Sequence, residues 1–274
     1  VRVTTPDGVV VAAQDWAAPA DRGVRQDILF LHGYSQDHRC WQHQLAGPLS
    51  REFRLVTYDL RGHGDSDKPD DPAYYQNARR WADELQAVIT TLGLHRPVVV
   101  AWSYAGRNLM DYLSVYGEAA LGAIVLAGAS TSTAPDRLGP DAQWLRKMTD
   151  ADPAVATAAT RAMLQACFAH PLPEDEFEAL MATNQRVPSR VRGYLRGRVS
   201  PDYGPVLRAL QLPALVIHGE QDTINLPAMA RYSVRQLRDA ELHFYADVAH
   251  VPFAEAPARF DADVAAFIRE RITP

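Results

Sequence analysis

A short apolar run, Val98-Val99-Val100-Ala101, passes through Trp102 to Ser103 and continues at once into Tyr104-Ala105-Gly106-Arg107, a helix-forming stretch. A serine at so sharp a strand-to-helix turn has a strained backbone and needs small neighbours. Ala101 and Ala105 supply them at positions minus two and plus two. The chemistry this suits is nucleophilic attack by a hydroxyl, which requires a base to take its proton. Nine histidines compete for that role: His32, His38, His43, His63, His95, His170, His218, His243 and His250. Of these, His250 alone follows the last strand-like run and immediately precedes the last helical pattern. The bland alternative for Ser103 is a solvated residue capping a helix.

Such a serine needs a sheet to present it. Continuous apolar runs recur at 28–31, 55–58, 98–101, 123–126, 214–217 and 242–245, as expected of strands buried on both faces. Between them, spacings of three and four place Trp81, Leu85, Val88 and Leu92 on one helical face, and Phe260, Val264 and Phe267 on another. This alternation predicts an α/β fold with a mostly parallel central sheet flanked by helices. Residues 1–5 and 9–16 around Pro6-Asp7-Gly8 predict a hairpin that adds antiparallel strands at one edge. From about 130 to 205 only helical patterns appear, punctuated by Pro153, Pro171, Pro173 and Pro188. The expected organisation is a core of 1–129 and 206–274 with a helical cap inserted at 130–205.

The Ser103 segment resembles the nucleophile elbow of the α/β-hydrolase superfamily, usually G-x-S-x-G, with alanine here in place of both glycines. Leu31-His32-Gly33-Tyr34 resembles the family's oxyanion loop, and Asp59-Leu60-Arg61-Gly62-His63-Gly64-Asp65-Ser66 its structural D-x-R-G-x-G-x-S segment. Asp247-Val248-Ala249-His250-Val251-Pro252 resembles G-x-G-H-x-P, and His218-Gly219-Glu220-Gln221-Asp222 resembles H-G-x-x-D. The resemblance implies Ser103 as nucleophile, His250 as base and Asp222 as the acid that orients it, in the chain order of this fold. Glu220 and Asp247 are the rival acids. Backbone N–H groups of Tyr34 and Tyr104 are implied as the oxyanion hole, while His32 and His63 are expected to brace loops. Trp102, Ile224, Val251 and Phe253 are candidate pocket residues. Met148, Met163, Cys167, Phe168, Phe177 and Met181 are candidates from the cap, or simply its own core. Arg186, Arg190, Arg192, Arg196 and Arg198 form a basic cluster, expected to be a solvated face rather than an anion site.

A serine nucleophile implies an acyl-enzyme route and disfavours the dehalogenases and epoxide hydrolases of this fold, which attack with aspartate. The expected activity is carboxylic ester hydrolysis of small or medium acyl esters or lactones, with no cofactor and no metal. C–C bond hydrolase, perhydrolase, thioesterase, amidase and hydroxynitrile lyase stay open on the same triad. So does a ligand-binding, receptor-like member with slow turnover.

The bulk properties agree. Across 274 residues, 28 Lys+Arg against 33 Asp+Glu give a charge of -5, which disfavours a nucleic-acid partner. At 47% hydrophobic and 22% charged residues, disorder is excluded. No apolar stretch is long enough for a membrane span. Two cysteines, Cys40 and Cys167, make no disulfide framework, so a cytoplasmic location is expected. Residues 1–5 carry no apolar leader, and the missing initiator Met implies a processed or late-starting chain. The expected partner is a small-molecule acyl substrate; oligomeric state is not legible.

Overall fold

The computed structural model describes residues 1–16 and 26–272. β1 (Arg2–Thr4) and β2 (Val10–Trp16) form the antiparallel hairpin, closed where Gly8 takes a φ of +84° and its N–H donates to Thr5 O at 2.9 Å. β3 (Asp27–Leu31), β4 (Arg54–Tyr58), β5 (Val98–Trp102), β6 (Ala123–Ala127), β7 (Ala214–Gly219) and β8 (Ala240–Tyr245) follow. Among the described residues these strands form one sheet in the order β1-β2-β4-β3-β5-β6-β7-β8. β2 meets β4 antiparallel, and every pairing from β4 to β8 is parallel.

The continuous apolar runs are explained by the pleat. Successive residues face opposite sides, and both sides are covered. Leu29, Val56, Val99 and Ile124 join one buried layer, while Phe30, Leu55, Val100 and Val125 join the other. Short helices α1 (Gln42–Ala46), α2 (Leu49–Glu52) and α3 (Ala73–Gln76) precede α4 (Ala78–Thr91) and α5 (Ala105–Tyr116). Trp81, Leu85 and Val88 of α4 and Leu109 of α5 bury against the first layer.

Between β6 and β7 come α6 (Trp144–Lys147), α7 (Pro153–Ala166), α8 (Glu174–Gln185), α9 (Ser189–Arg196) and α10 (Gly204–Ala209), with no strand among the described residues. Asp152 caps α7, accepting from the Ala154 N–H at 2.8 Å, and Pro153 occupies its first turn. Glu174, Asp175 and Glu176 open α8, where the helix dipole favours acids. Leu164, Phe177 and Met181 form a small core of this segment's own. α11 (Pro227–Gln236), α12 (Pro252–Glu255) and α13 (Pro257–Arg271) complete the chain. Phe260, Val264 and Phe267 of α13 bury in the second layer, each contributing roughly 1.5–3 kcal/mol.

The sheet order creates the crevice. From β3 the chain goes to one side, to β4, then returns to the other side, to β5. The loops after β3 and β5 therefore diverge at their carboxyl ends, where ligands bind in open α/β sheets. No described helix is long and apolar enough to cross a membrane.

Candidate active site

Ser103 sits at the carboxyl end of β5 with a φ of +52°, the left-handed region that an L-residue occupies only under strain. Its surroundings hold it there. Ser103 N donates to Ala127 O at 3.2 Å, and Ser103 O accepts from the N–H groups of Gly106 (3.0 Å) and Ser130 (2.9 Å). The space is tight: a Cβ on Gly106 would stand 2.8 Å from Ser130 O, and one on Gly33 would stand 2.9 Å from the Trp102 ring. Ala101 and Ala105 are fully buried beside it, so the alanines fit where the motif carries glycine.

Ser103 Oγ lies 2.8 Å from His250 Nε2, and His250 Nδ1 lies 2.7 Å from Asp222 Oδ2. Asp222, in the loop after β7, is buried, and its Oδ1 accepts from the N–H groups of Ile224 (2.9 Å) and Asn225 (3.0 Å). Burial alone would raise its pKa. The facing His250 and the hydrogen bonds from His218 and His250 outweigh that and hold the carboxyl well below the usual range. Both rivals, Glu220 and Asp247, are exposed. His250 is fixed through its backbone as well: its N–H donates to Cys167 O at 3.0 Å, and its O accepts from Trp102 Nε1 at 3.0 Å. The structure thus brings together three side chains from the ends of β5, β7 and β8.

Tyr34 and Tyr104 line the same cavity as Ser103, and neither backbone N–H makes a hydrogen bond to another backbone group among the described residues. His32 is buried, with Nδ1 at 2.8 Å from Gly33 O and Nε2 accepting from Leu60 N–H at 3.0 Å. His63 Nε2 accepts from Ser35 N–H at 3.2 Å, while its Nδ1 lies 2.9 Å from Arg61 O. Burial pushes the pKa of His63 down to about 3 and that of His32 down as well, so both brace the loops after β3 and β4 as neutral rings. In the same segment Arg61, fully buried, pairs with Glu84 at 2.6 Å and Asp7 at 2.8 Å.

The cavity at Ser103 has a volume of about 260 Å³. Trp102 and Ile224 line it, together with Met148, Met163 and Cys167. Val251 and Phe253 do not. They line a neighbouring cavity of about 830 Å³ that Phe168 also borders, and Phe253 packs 4.2 Å from the Trp41 ring. At the turn into α12 both side chains pack into the second apolar layer, Phe253 with its ring 5.0 Å from that of Trp102. Phe177 and Met181 belong to the segment's own core. Arg107, Arg146, Asn184, Ser132 and Asn225 also line the Ser103 cavity and were not singled out for it from sequence, and Arg196, expected as part of a solvated basic face, lines it too. A signal existed only for Arg107, one helical turn beyond Ser103.

One group among the described residues, Asp37, His38 and Asp59, gathers three potential metal ligands within 4.8 Å. Its carboxylates are already engaged. Asp59 accepts from the His38 backbone and ring, both at 2.8 Å, and Asp37 pairs with Arg186 at 2.8 Å. The group reads as a brace for the loop after β4.

Comparison with known proteins agrees with this geometry. A profile described as "Alpha/beta hydrolase family" matches residues 28–263. A Burkholderia cenocepacia structure assigned as an aryl esterase superposes with a TM-score of 0.91 at 31% identity, covering 99% of this chain and 98% of that one. The esterase RhEst1 from Rhodococcus sp. ECU1013 does so with a TM-score of 0.91 at 27% identity over 99% and 98%. The bifunctional esterase/perhydrolase DCH of Acinetobacter calcoaceticus is 26% identical over 97% of this chain and 99% of its own.

Proposed function

This chain belongs to the alpha/beta hydrolase family, and on that premise we propose that it is a carboxylic ester hydrolase working through an acyl-enzyme. Ser103 is the nucleophile, His250 the general base and Asp222 the acid that orients it. Tyr34 and Tyr104 supply the oxyanion hole, and residues 130–205 act as a cap that shapes the pocket. The observation that carries the reading is the unbroken relay Ser103–His250–Asp222 at 2.8 and 2.7 Å, ending on a carboxylate held ionised.

In this mechanism Ser103 Oγ attacks the ester carbonyl carbon while its proton passes to His250 Nε2. The negative charge that develops on the carbonyl oxygen is met by the two backbone N–H groups, and the imidazolium by Asp222. The C–O bond then breaks, and His250 returns the proton to the leaving alcohol. Water, deprotonated by His250, attacks the acyl-Ser103 ester and releases the acid. The left-handed φ of Ser103 exposes Oγ above the end of the sheet.

The test is turnover of a chain-length series of chromogenic esters by wild type and Ser103→Ala. The variant is expected to fold and to lose about 10⁴-fold or more in kcat. Wild-type-like turnover in it would sink the assignment. A second reading is favoured by the similarity to the esterase/perhydrolase DCH. If hydrogen peroxide replaces water at deacylation, the same intermediate yields a peracid, and peracid formation from acetate and peroxide would reveal it. For its compartment we propose the cytoplasm, which the free thiols of Cys40 and Cys167 support.

A further inference from the structure

Residues 130–205 contain eight arginines: Arg137, Arg146, Arg161, Arg186, Arg190, Arg192, Arg196 and Arg198. Five have a carboxylate partner. Arg137 reaches Asp136, Arg161 reaches Glu178, Arg186 reaches Asp37 and Asp65, Arg190 reaches Asp70, and Arg198 reaches Asp111. Arg146, Arg192 and Arg196 have none among the described residues.

Two of these three stand at one place. Arg146 and Arg196 line the cavity that holds Ser103, and Arg107 of α5 lines it too. Arg107 also lacks a carboxylate among the described residues. It donates instead to Ser200 Oγ at 2.6 Å and Arg198 O at 2.9 Å, and lies over the Tyr104 ring. Arg192 is 6% exposed, donates to the backbone O of Asn184 at 2.6 Å, and leaves its Nε without a partner. Asn184 is itself part of the cavity wall, and its buried Oδ1 is unpartnered. Among the described residues no Asp or Glu lines this cavity.

A protein normally pairs the charges that it buries. Arg192 is buried without such a partner, while Arg146 and Arg196 are exposed at the cavity wall, and no carboxylate among the described residues that line the cavity cancels the positive charge there. A confined space with apolar walls, Met148, Met163 and Leu164 among them, focuses that uncompensated positive field. Guanidinium groups recognise carboxylates through paired N–H donors.

We propose that the ester cleaved here carries a carboxylate of its own on the acyl side: a half-ester of a short dicarboxylic acid, or a lactone bearing a carboxylate. The inference rests on the Ser103 hydrolase reading and adds its substrate class. Arg146 and Arg196 meet the substrate carboxylate, and Arg107 and Arg192 add to the field that draws it in.

The experiment compares monomethyl glutarate with methyl valerate, matched in chain length, by titrating the proton that hydrolysis releases. Wild type is expected to favour the half-ester by about tenfold or more in kcat/KM, chiefly through KM. Added salt should shrink the advantage. The double variant Arg146→Gln, Arg196→Gln should collapse the ratio towards one, and Arg146→Lys, Arg196→Lys should keep much of it. Hydrolysis of methyl valerate with no half-ester preference, or a preference that survives both glutamines, overturns the carboxylate proposal alone. Hydrolysis of neither ester by folded enzyme overturns the hydrolase reading, and this one with it.

Discussion

The loops at the carboxyl ends of β5, β7 and β8 and the helical segment between β6 and β7 solve different problems. In the loops Ser103, His250 and Asp222 are each over-determined. Asp222 has four hydrogen-bonding neighbours, His250 is gripped at both ring nitrogens and at its backbone, and the strained Ser103 backbone is held by three hydrogen bonds. The helical segment has a small core of its own in Leu164, Phe177 and Met181, sends Val191 and Leu195 into one main layer and Met148 and Met163 into the other, and carries several exposed polar links. A reacting centre tolerates little displacement, so it sits on strands buried on both faces. A pocket wall has only to present groups of the right charge and size, and a helical layer can do that.

Three measurements probe this contrast. The largest effect is expected where the two regions meet. Arg198, fully buried, pairs with Asp111 and donates to Asn108 Oδ1 at 2.6 Å on α5. Arg198→Met strands the Asp111 charge and should cost about 3–5 kcal/mol in denaturant unfolding. Arg190→Ala, which removes an exposed pair with Asp70, should cost less than about 1 kcal/mol. Equal costs would mean that the junction is no more rigid than the surface of the segment.

Acid should loosen the loops after β3 and β4, which adjoin the Ser103 turn, before the helical segment. The folded pKa of His63 lies at about 3, below the unfolded value of roughly 6.5, so the native state favours the neutral ring. Its contribution to stability is complete above about pH 6.5 and is lost as pH falls towards 3. Protonation also destroys the Nε2 acceptor for Ser35 N–H. Thermal midpoints should fall over this window, with the Ser35 amide exchanging before those of α7 and α8; His63→Gln should flatten the fall. The reverse order of exchange would place the weak point in the helical segment.

The smallest effect isolates backbone strain. Ser103→Gly and Ser103→Ala both lack the hydroxyl, but only glycine relaxes at a φ of +52°. The glycine variant should be the more stable by roughly 1 kcal/mol in parallel melts. No difference would mean that the turn stores no strain.

Much of this architecture was legible because it depends on short-range pattern. Apolar runs marked the strands from β3 to β8 to within two residues at either end; β3 and β5 to β7, buried along their whole length, have no polar side to interrupt them, whereas β8, at the edge, is only half-buried. The small residues around Ser103 marked the turn, and the motif resemblances singled out His250 and Asp222 as the side chains now found within hydrogen-bonding reach. Val251 and Phe253 were harder to read. Adjacency in sequence to His250 says nothing of which cavity a side chain will line, and the turn into α12 sends both to the neighbouring one. The arginines were harder still. Read along the chain they form one basic cluster, but Arg186 finds its acids at Asp37 and Asp65, and Arg198 its acid at Asp111.

By itself, then, the sequence determined the strands and the turn at Ser103, because hydrophobic periodicity and local backbone sterics act between near neighbours, and its motif resemblances singled out His250 and Asp222. Only the tertiary structure decided which charges are cancelled and which face the cavity. Coulomb pairing and pocket shape depend on groups brought together from distant parts of the chain, and no local pattern records them.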